Sequence, residues 1–357
     1  MRILGWLSAT LILMVPLSST MAQSGDGFVD VTIGIFVHRP PAPVVANNAQ
    51  SPTPIVAEPK QVEAVRTAET RFLPMYLRYS IEQAGNFGAV RVLPVGDNGA
   101  ELTISGEIVR SDGAILELAI KASDSTGRVW VDRSFSGSAI ASETLSGDAI
   151  AEDAFAGLFA EIVRELQRQL AVLTAEEVSR IETVALLRYG LALVPPAFAP
   201  YLAEDTNGVT TIKRLPAADD PILSRIVGIR EREYLFIDVV DEAYGRFYTD
   251  VKPVYDLWRQ FQREQTDSTS ARTERELAAR SDFARGSYRA LQENYNNYRW
   301  AKLQELYVDE LGEGFTNEVE PTQLQLEDSV FRLSGTLEQQ YREWRRILAE
   351  LFALEFQ

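Results

Sequence analysis

Three consecutive segments between residues 101 and 137 constrain the fold more strongly than any other part of the sequence. Each alternates polar and apolar residues, which is the pattern of a β-strand with one buried face. Tight-turn sequences join the segments at 111–113, Ser-Asp-Gly, and at 124–127, Asp-Ser-Thr-Gly. The apolar positions predict that the buried face carries Leu102, Ile104, Ile108, Leu116, Leu118 and Ile120.

Further strands and helices are predicted on both sides of these segments. Strands are predicted over 28–40 and 89–94, and helices over 61–83 and 148–173. The second helix has apolar residues at spacings of three and four, which are Phe155, Phe159, Ile162, Leu166 and Leu170. This order predicts an α+β fold, with a mostly antiparallel sheet and helices on one of its faces.

The run ELTISGEIVRSDGAILELAIKASDSTGRVWVDRSFSG, together with the elements around it, resembles the small α+β domain of bacterial envelope proteins. Examples are the amino-terminal domain of TolB, the curli-secretion family and auxiliary components of envelope transport systems. The resemblance covers residues 28–172 and leaves the helical second half outside it. It implies a protein-binding or assembly role in the envelope of a Gram-negative cell.

The second half of the sequence predicts an elongated bundle of long helices. Helices are predicted over 233–265, 272–311 and 322–356, with the polar stretch TDSTSART joining the first two. Their aromatic residues repeat at spacings of three and four, which is typical of antiparallel packing. Unbroken helices of this length would be roughly 50–60 Å long.

The sequence therefore divides into four predicted parts. They are a signal peptide at 1–22, an α+β domain at 23–173 with a Pro-rich loop at 40–60, a helix and Pro-rich connector at 174–222, and a helical bundle at 223–357.

The first residues predict export from the cytoplasm. Arg2 is followed by an apolar run over 3–17, and small residues lead to a predicted cleavage site after Ala22. The alternative is a retained anchor, although Ser8, Thr10 and Pro16 interrupt a run that is short for a membrane span. No later stretch predicts a membrane segment, so we expect a soluble periplasmic protein.

Composition excludes several chemistries. The chain has no cysteine, which rules out thiol catalysis, cysteine-ligated zinc, iron–sulfur clusters and a lipoprotein anchor. Its net charge of −16 disfavours binding to nucleic acid and to anionic lipid, since both require a basic surface.

No catalytic, cofactor-binding or metal-ligating residue is predicted. The only histidine, His38, cannot build a histidine-rich metal site, and we expect no cofactor. Pairs of carboxylates could support hydrolysis of a glycosidic bond, which needs two acids across a cleft. The sequence offers two such groups, which are Asp238 with Asp241 and Glu242, and Glu318 with Glu320.

Aromatic residues are concentrated in the second half, where 11 of the 13 tyrosines follow residue 188. Most fit a helical core, with their hydroxyls at its surface. The segment 295–300 is different, because six consecutive residues cover every face of a helix and cannot all be buried in one seam. We therefore predict a partner-contact surface at Tyr295, Tyr298, Arg299 and Trp300.

These observations favour a non-enzymatic periplasmic envelope protein that acts through protein–protein interaction, in assembly, transport or structural support. The expected partners are other envelope proteins. The sequence leaves two alternatives open: a carboxylate-dependent hydrolase of cell-wall glycan or peptide, and a carrier of a small ligand or lipid.

Overall fold

A computed structural model of the chain describes residues 28–39, 59–112, 115–138, 155–206, 208–217, 219–278, 322–326 and 329–354. The predicted signal peptide and its cleavage site lie outside these residues. In chain order, the first half forms β1 (Val31–Gly34), β2 (Val37–His38), α1 (Pro59–Ala84), β3 (Val90–Leu93), β4 (Leu102–Ser111), β5 (Ile115–Asp124), β6 (Val129–Ser138) and α2 (Ala156–Ala171).

The predicted α+β class is confirmed. The six-stranded sheet has the order β3-β1-β4-β5-β6, and β2 also pairs with β4. As predicted, β4, β5 and β6 are antiparallel. The sheet as a whole is mixed, however, because β1 lies parallel to both β3 and β4. Helix α1 connects β1 to β3 and returns the chain to the start of the sheet, so that the two strands run in the same direction.

The core lies between this sheet and helices α1 and α2. All six residues predicted on the buried face of β4 and β5 are at most 1% exposed. The opposite face is polar, with Ser105, Lys121 and Asp132 exposed to solvent. Gly106 allows the Phe36 ring to pack directly on the backbone of β4, since a Cβ at position 106 would lie 2.6 Å from that ring.

The turn between β5 and β6 is built around the carboxylate of Asp124. Its Oδ1 accepts hydrogen bonds from the amides of Thr126 and Arg128, and its Oδ2 accepts one from Trp130 Nε1 at 2.8 Å. Gly127 completes the turn with a φ of +87°, in the region that favours glycine. The sequence Asp-Ser-Thr-Gly is therefore a hairpin turn, as predicted.

The second half is mostly helical, as predicted. In chain order it forms α3 (Ala175–Leu193), α4 (Pro195–Phe198), β7 (Leu202–Glu204), β8 (Thr210–Ile212), α5 (Pro221–Ala278), β9 (Thr322–Leu326), β10 (Ser329–Leu333) and α6 (Leu337–Leu354). Within the described residues, no helix is both long and apolar enough to cross a membrane.

The prediction of a joint at TDSTSART was wrong. Helix α5 continues through this stretch without interruption and reaches Ala278. Ser, Thr and Asp are weak helix formers, but neither glycine nor proline occurs between residue 254 and Ala278. The local signal was therefore too weak to end a helix.

The prediction of a helix beginning at Thr322 was also wrong. Residues 322–333 form an antiparallel hairpin, β9 with β10, and α6 begins only at Leu337. Thr336 defines this start through a capping box: its Oγ1 accepts from the amide of Gln339, and its own amide donates to Gln339 Oε1.

The aromatic residues of α5 pack mainly against the first half of the chain. Tyr248 stacks on Phe72 of α1 at 4.7 Å between ring centroids, and Tyr255 contacts the same ring at 4.5 Å. On another side of α5, Phe236 contacts Tyr341 and Trp344 of α6. These aromatic residues are part of one continuous core. The division of the chain into domains stays a prediction.

Candidate functional site

Helix α5 is held to the body by a largely buried group of charged and polar residues that we call the central cluster: Asp97, Arg230, Glu233, Tyr341 and Arg345. Arg230 donates two hydrogen bonds to Asp97, at 2.6 and 2.8 Å. Glu233 accepts a hydrogen bond from the Tyr341 hydroxyl at 3.0 Å and forms an ion pair with Arg345 at 3.4 Å. The cluster thus joins the β3–β4 loop, α5 and α6.

The surroundings of Arg230 favour the charged forms of Arg230 and Asp97. Its guanidinium lies over the rings of Tyr189 and Tyr234, at 4.7 and 4.6 Å from their centroids. Burial tends to raise the pKa of Asp97, but the attraction and hydrogen bonds of Arg230 outweigh it and hold that pKa below its usual value. Gly99 permits this approach, since a Cβ there would lie 2.9 Å from Arg230 Cζ.

A second buried carboxylate, Glu69, ties α1 to β4 and α5. It accepts hydrogen bonds from the Ser111 hydroxyl, from the Tyr255 hydroxyl at 2.9 Å and from Arg66 at 2.9 Å. Burial raises its pKa, and these three donors oppose the rise. Glu69 and Tyr255 have no exposed surface and Ser111 is 3% exposed, so the group is structural and cannot meet a substrate.

An open groove of about 630 Å³ runs between α1 and α5 and contains the first predicted carboxylate group. Asp241 forms an ion pair with Arg78 at 2.6 Å and accepts a hydrogen bond from the Val92 amide at 3.2 Å. Glu242 is paired with Arg246 at 2.8 Å. A pair of catalytic acids needs carboxylates free to meet a substrate, and Asp241 and Glu242 are already engaged.

The third member of that group, Asp238, is exposed over 68% of its side chain. Burial raises the pKa of Asp241 to about 6 despite the attraction of Arg78. The second predicted group, Glu318 with Glu320, lies outside the described residues.

His38 lies on β2, beside Ile108 of β4. Burial and the charge of Arg66 lower its pKa. Among the residues that the structure describes, no group of three or more His, Asp or Glu side chains is placed to hold a metal ion.

The predicted contact residues Tyr295, Tyr298, Arg299 and Trp300 lie outside the described residues, after the end of α5. The helix that precedes them is described. Arg259 is its last residue with a described side chain and lies over the ring of Phe155 at 3.7 Å. We call residues 260–278 the helical arm; they continue α5 by 19 residues, or about 28 Å.

Sequence reasoning missed the central cluster, although a local signal for it exists. Arg230 and Glu233 occur among Ile226, Ile229 and Phe236 on the apolar face of α5, where charged residues are unusual unless they are paired. Asp97, the partner of Arg230, is 133 positions away from it, and no spacing pattern connects residues so far apart.

Comparison with protein-family models gives no match, and neither does a search of curated proteins. Among solved structures, the chain is similar to one chain of a PelC dodecamer from Paraburkholderia phytofirmans, at 12% sequence identity. The alignment covers 40% of this chain and 89% of that chain, with a TM-score of 0.22. At this identity and TM-score, the similarity supports no argument about function or assembly here.

Proposed function

We propose that this chain is a non-enzymatic envelope protein that binds other envelope proteins through the segment following its helical arm. In this proposal the folded body anchors α5, and Tyr295, Tyr298, Arg299 and Trp300 contact the partner. The role is one of assembly, transport or structural support in the periplasm, after cleavage of residues 1–22.

The observation that carries the proposal is the polar helical arm. Residues 262–276 contain no apolar residue larger than Ala271, yet α5 continues through them. A helix that is polar on all sides offers no face to bury against a body of its own, and such helices bridge solvent between folded parts. The composition of the arm therefore supports a helix that extends beyond the core, toward the part of the sequence that holds the aromatic segment 295–300.

The pairing of the buried charges in the body agrees with an anchoring role. The acids of the central cluster and Glu69 are occupied by internal hydrogen bonds and ion pairs. These contacts fix α5 against α1, β4, α6 and the β3–β4 loop. Rigid support of this kind is what a projecting contact surface requires.

No specific observation favours either alternative function. Of the carboxylates that could serve a hydrolase, Asp241 and Glu242 are paired with Arg78 and Arg246, and Asp238 lies 3.7 Å from Arg91. The other two, Glu318 and Glu320, lie outside the described residues. A carrier requires a deep apolar cavity, whereas the groove between α1 and α5 is open and lined largely by charged residues.

Site-specific photo-crosslinking in cells tests the proposal. A photoreactive phenylalanine analogue in place of Trp300 should give an adduct of one reproducible mass, because the aromatic segment meets a partner. The same analogue in place of Glu176, whose side chain is 87% exposed on α3, is the matched control and should give no such adduct.

A second variant identifies the contact chemistry. The double substitution Tyr298→Ala and Arg299→Glu should reduce the adduct formed at position 300 at least tenfold, as expected for the loss of hot-spot residues. Equal adducts from positions 176 and 300, or none from position 300, would refute the proposal. Circular dichroism of each variant confirms that the body remains folded.

A further inference from the structure

A small cavity, partly open to solvent, lies where α5 covers the β1–β3 side of the sheet. Its volume is about 10 Å³, which is room for one water molecule. Five ionisable side chains with opposing charges line it: Asp30, Arg91, Asp97, Glu101 and Arg230. The cavity is separate from the groove of Asp241 and from the segment 295–300.

Each arginine in this cavity already has a carboxylate partner. Arg230 is bound to Asp97 through two hydrogen bonds, and Arg91 lies 3.4 Å from Asp30. Glu101 is the third carboxylate, and its hydrogen bond comes from the backbone amide of Asp30 at 2.8 Å. With Glu101 ionised the cavity holds three negative and two positive charges, whereas with Glu101 protonated the charges balance.

We propose that Glu101 is a proton-operated latch, and that proton uptake by this carboxyl tightens the packing of α5 against the edge of the sheet. A neutral carboxyl leaves the two arginine–aspartate pairs balanced and removes an uncompensated charge from a largely buried site. Loss of the proton restores that charge and weakens the packing of α5 over β1 and β3.

The groups around Glu101 come from every element packed against it. Asp30 precedes β1, Arg91 lies on β3 and Asp97 lies in the β3–β4 loop. Glu182 acts on Glu101 from α3, and Arg230 and Tyr234 approach from α5. Two of these acids, Asp30 and Glu182, repel an ionised Glu101.

The titration range follows from the same surroundings. Burial raises the pKa of Glu101 to about 7, with Asp30 and Glu182 adding to the rise and the Asp30 amide and Arg230 opposing it. A carboxyl whose pKa is higher in the folded state binds protons more tightly there than in the unfolded chain. Its contribution therefore favours folding at low pH and is lost as the pH rises toward and beyond 7.

Urea unfolding of the purified protein between pH 6 and pH 8 tests the latch. Loss of the Glu101 proton should make the unfolding equilibrium constant about tenfold larger at pH 8 than at pH 6. Glu101→Gln, which mimics the neutral carboxyl, should remove this part of the pH dependence. Glu176→Gln on exposed α3 should retain it.

One comparison and one further measurement keep the test decisive. Because Asp241 also titrates in this range, the quantity compared is the difference in pH dependence between the wild type and Glu101→Gln. Carbon-13 NMR of the wild-type carboxyl should give a midpoint near 7 even if the variant folds poorly. A midpoint below 5.5, or the same pH dependence in Glu101→Gln and wild type, would overturn the proposal.

The latch does not depend on the proposed partner contact. Photo-crosslinking at Trp300 and titration of Glu101 can therefore fail separately, and each result is attributable to its own site.

Discussion

Arg230 donates two hydrogen bonds to Asp97 while its guanidinium lies over two tyrosine rings and 3.5 Å from Glu233. Asp97 and Glu233 have side chains that are 2% and 1% exposed, so neither can recruit bulk water if the arginine is removed. The central cluster is stable only as a complete set of charges.

Replacing Arg230 with methionine should therefore be severely destabilising. Arg230→Met leaves Asp97 without its cation, and we expect the free energy of unfolding to fall by about 3–5 kcal/mol. Urea unfolding at pH 7 measures this loss. Adding Asp97→Asn to the same chain should restore part of it, and a double variant no more stable than Arg230→Met would contradict the pairing described.

Replacing glycine with alanine should have opposite effects on stability at two positions. Gly106→Ala places a methyl group against the Phe36 ring, so we expect a loss of about 1–3 kcal/mol from overpacking. Gly228 lies within α5, where an added Cβ would meet no atom within 4 Å, and Gly228→Ala should stabilise the helix by about 1 kcal/mol. Thermal unfolding of both variants compares them, and equal shifts of the same sign would show that the Phe36 contact is unimportant.

Helix α5 combines two regions of different character within one continuous helix. Up to Arg259 its buried residues pack on α1, the sheet edge and α6, whereas the helical arm beyond has almost no apolar residues. Isolated helices of this length are marginally stable in water without packing. We therefore expect the helical arm to form by extension of the packed part of α5, which supplies the nucleus that a helix needs.

Hydrogen exchange should distinguish these two regions. We expect the amides of residues 226–244 to open with a free energy close to that of global unfolding, because one face of this segment lies in the core, with Ile226, Phe236 and Val240 fully buried. The amides of 262–276 should exchange at least a hundredfold faster. Equal protection along α5 would mean that the arm is packed against something, and would count against a projecting arm.

Alternation of polar and apolar residues was sufficient to predict β4, β5, β6 and the buried face that they share. It failed at 322–333, where five-residue strands were too short to stand out from the helical spacing that follows them. The parallel placement of β1 could not be predicted either, since it depends on which strands α1 brings together. Within the site, the paired state of Asp241 depends on Arg78 and Val92, which no spacing within the sequence reveals.

The molecule as a whole is a body closed by contacts between distant parts of the chain. Arg71 of α1 pairs with Glu338 of α6 at 3.1 Å, and Arg345 of α6 donates to the Gly96 carbonyl at 3.0 Å. The described chain thus belongs to this body up to Arg259 of α5 and again at α6. This arrangement predicts that residues 261–320 are separable from folding.

Replacing residues 261–320 with a flexible linker tests that separation. A Gly/Ser linker of about 20 residues spans roughly 25 Å, so that α6 can still dock on α5. We expect the midpoint of urea unfolding to remain close to that of the full chain, while binding to the crosslinked partner is lost. A shortened protein that fails to fold, as judged by near-ultraviolet circular dichroism, would show that residues 261–320 contribute to the core.

Strand β3 forms one edge of the sheet, and its Val92 amide is satisfied by the Asp241 side chain of α5. Ribosomes complete β3 about 150 residues before they reach Asp241, which at about 5–20 residues per second is a delay of roughly 7–30 s. During that time the nascent sheet presents an unprotected edge strand that another chain can extend. We therefore expect the β3 edge to be shielded until α5 is made, by a chaperone or by delivery of the chain in an unfolded state.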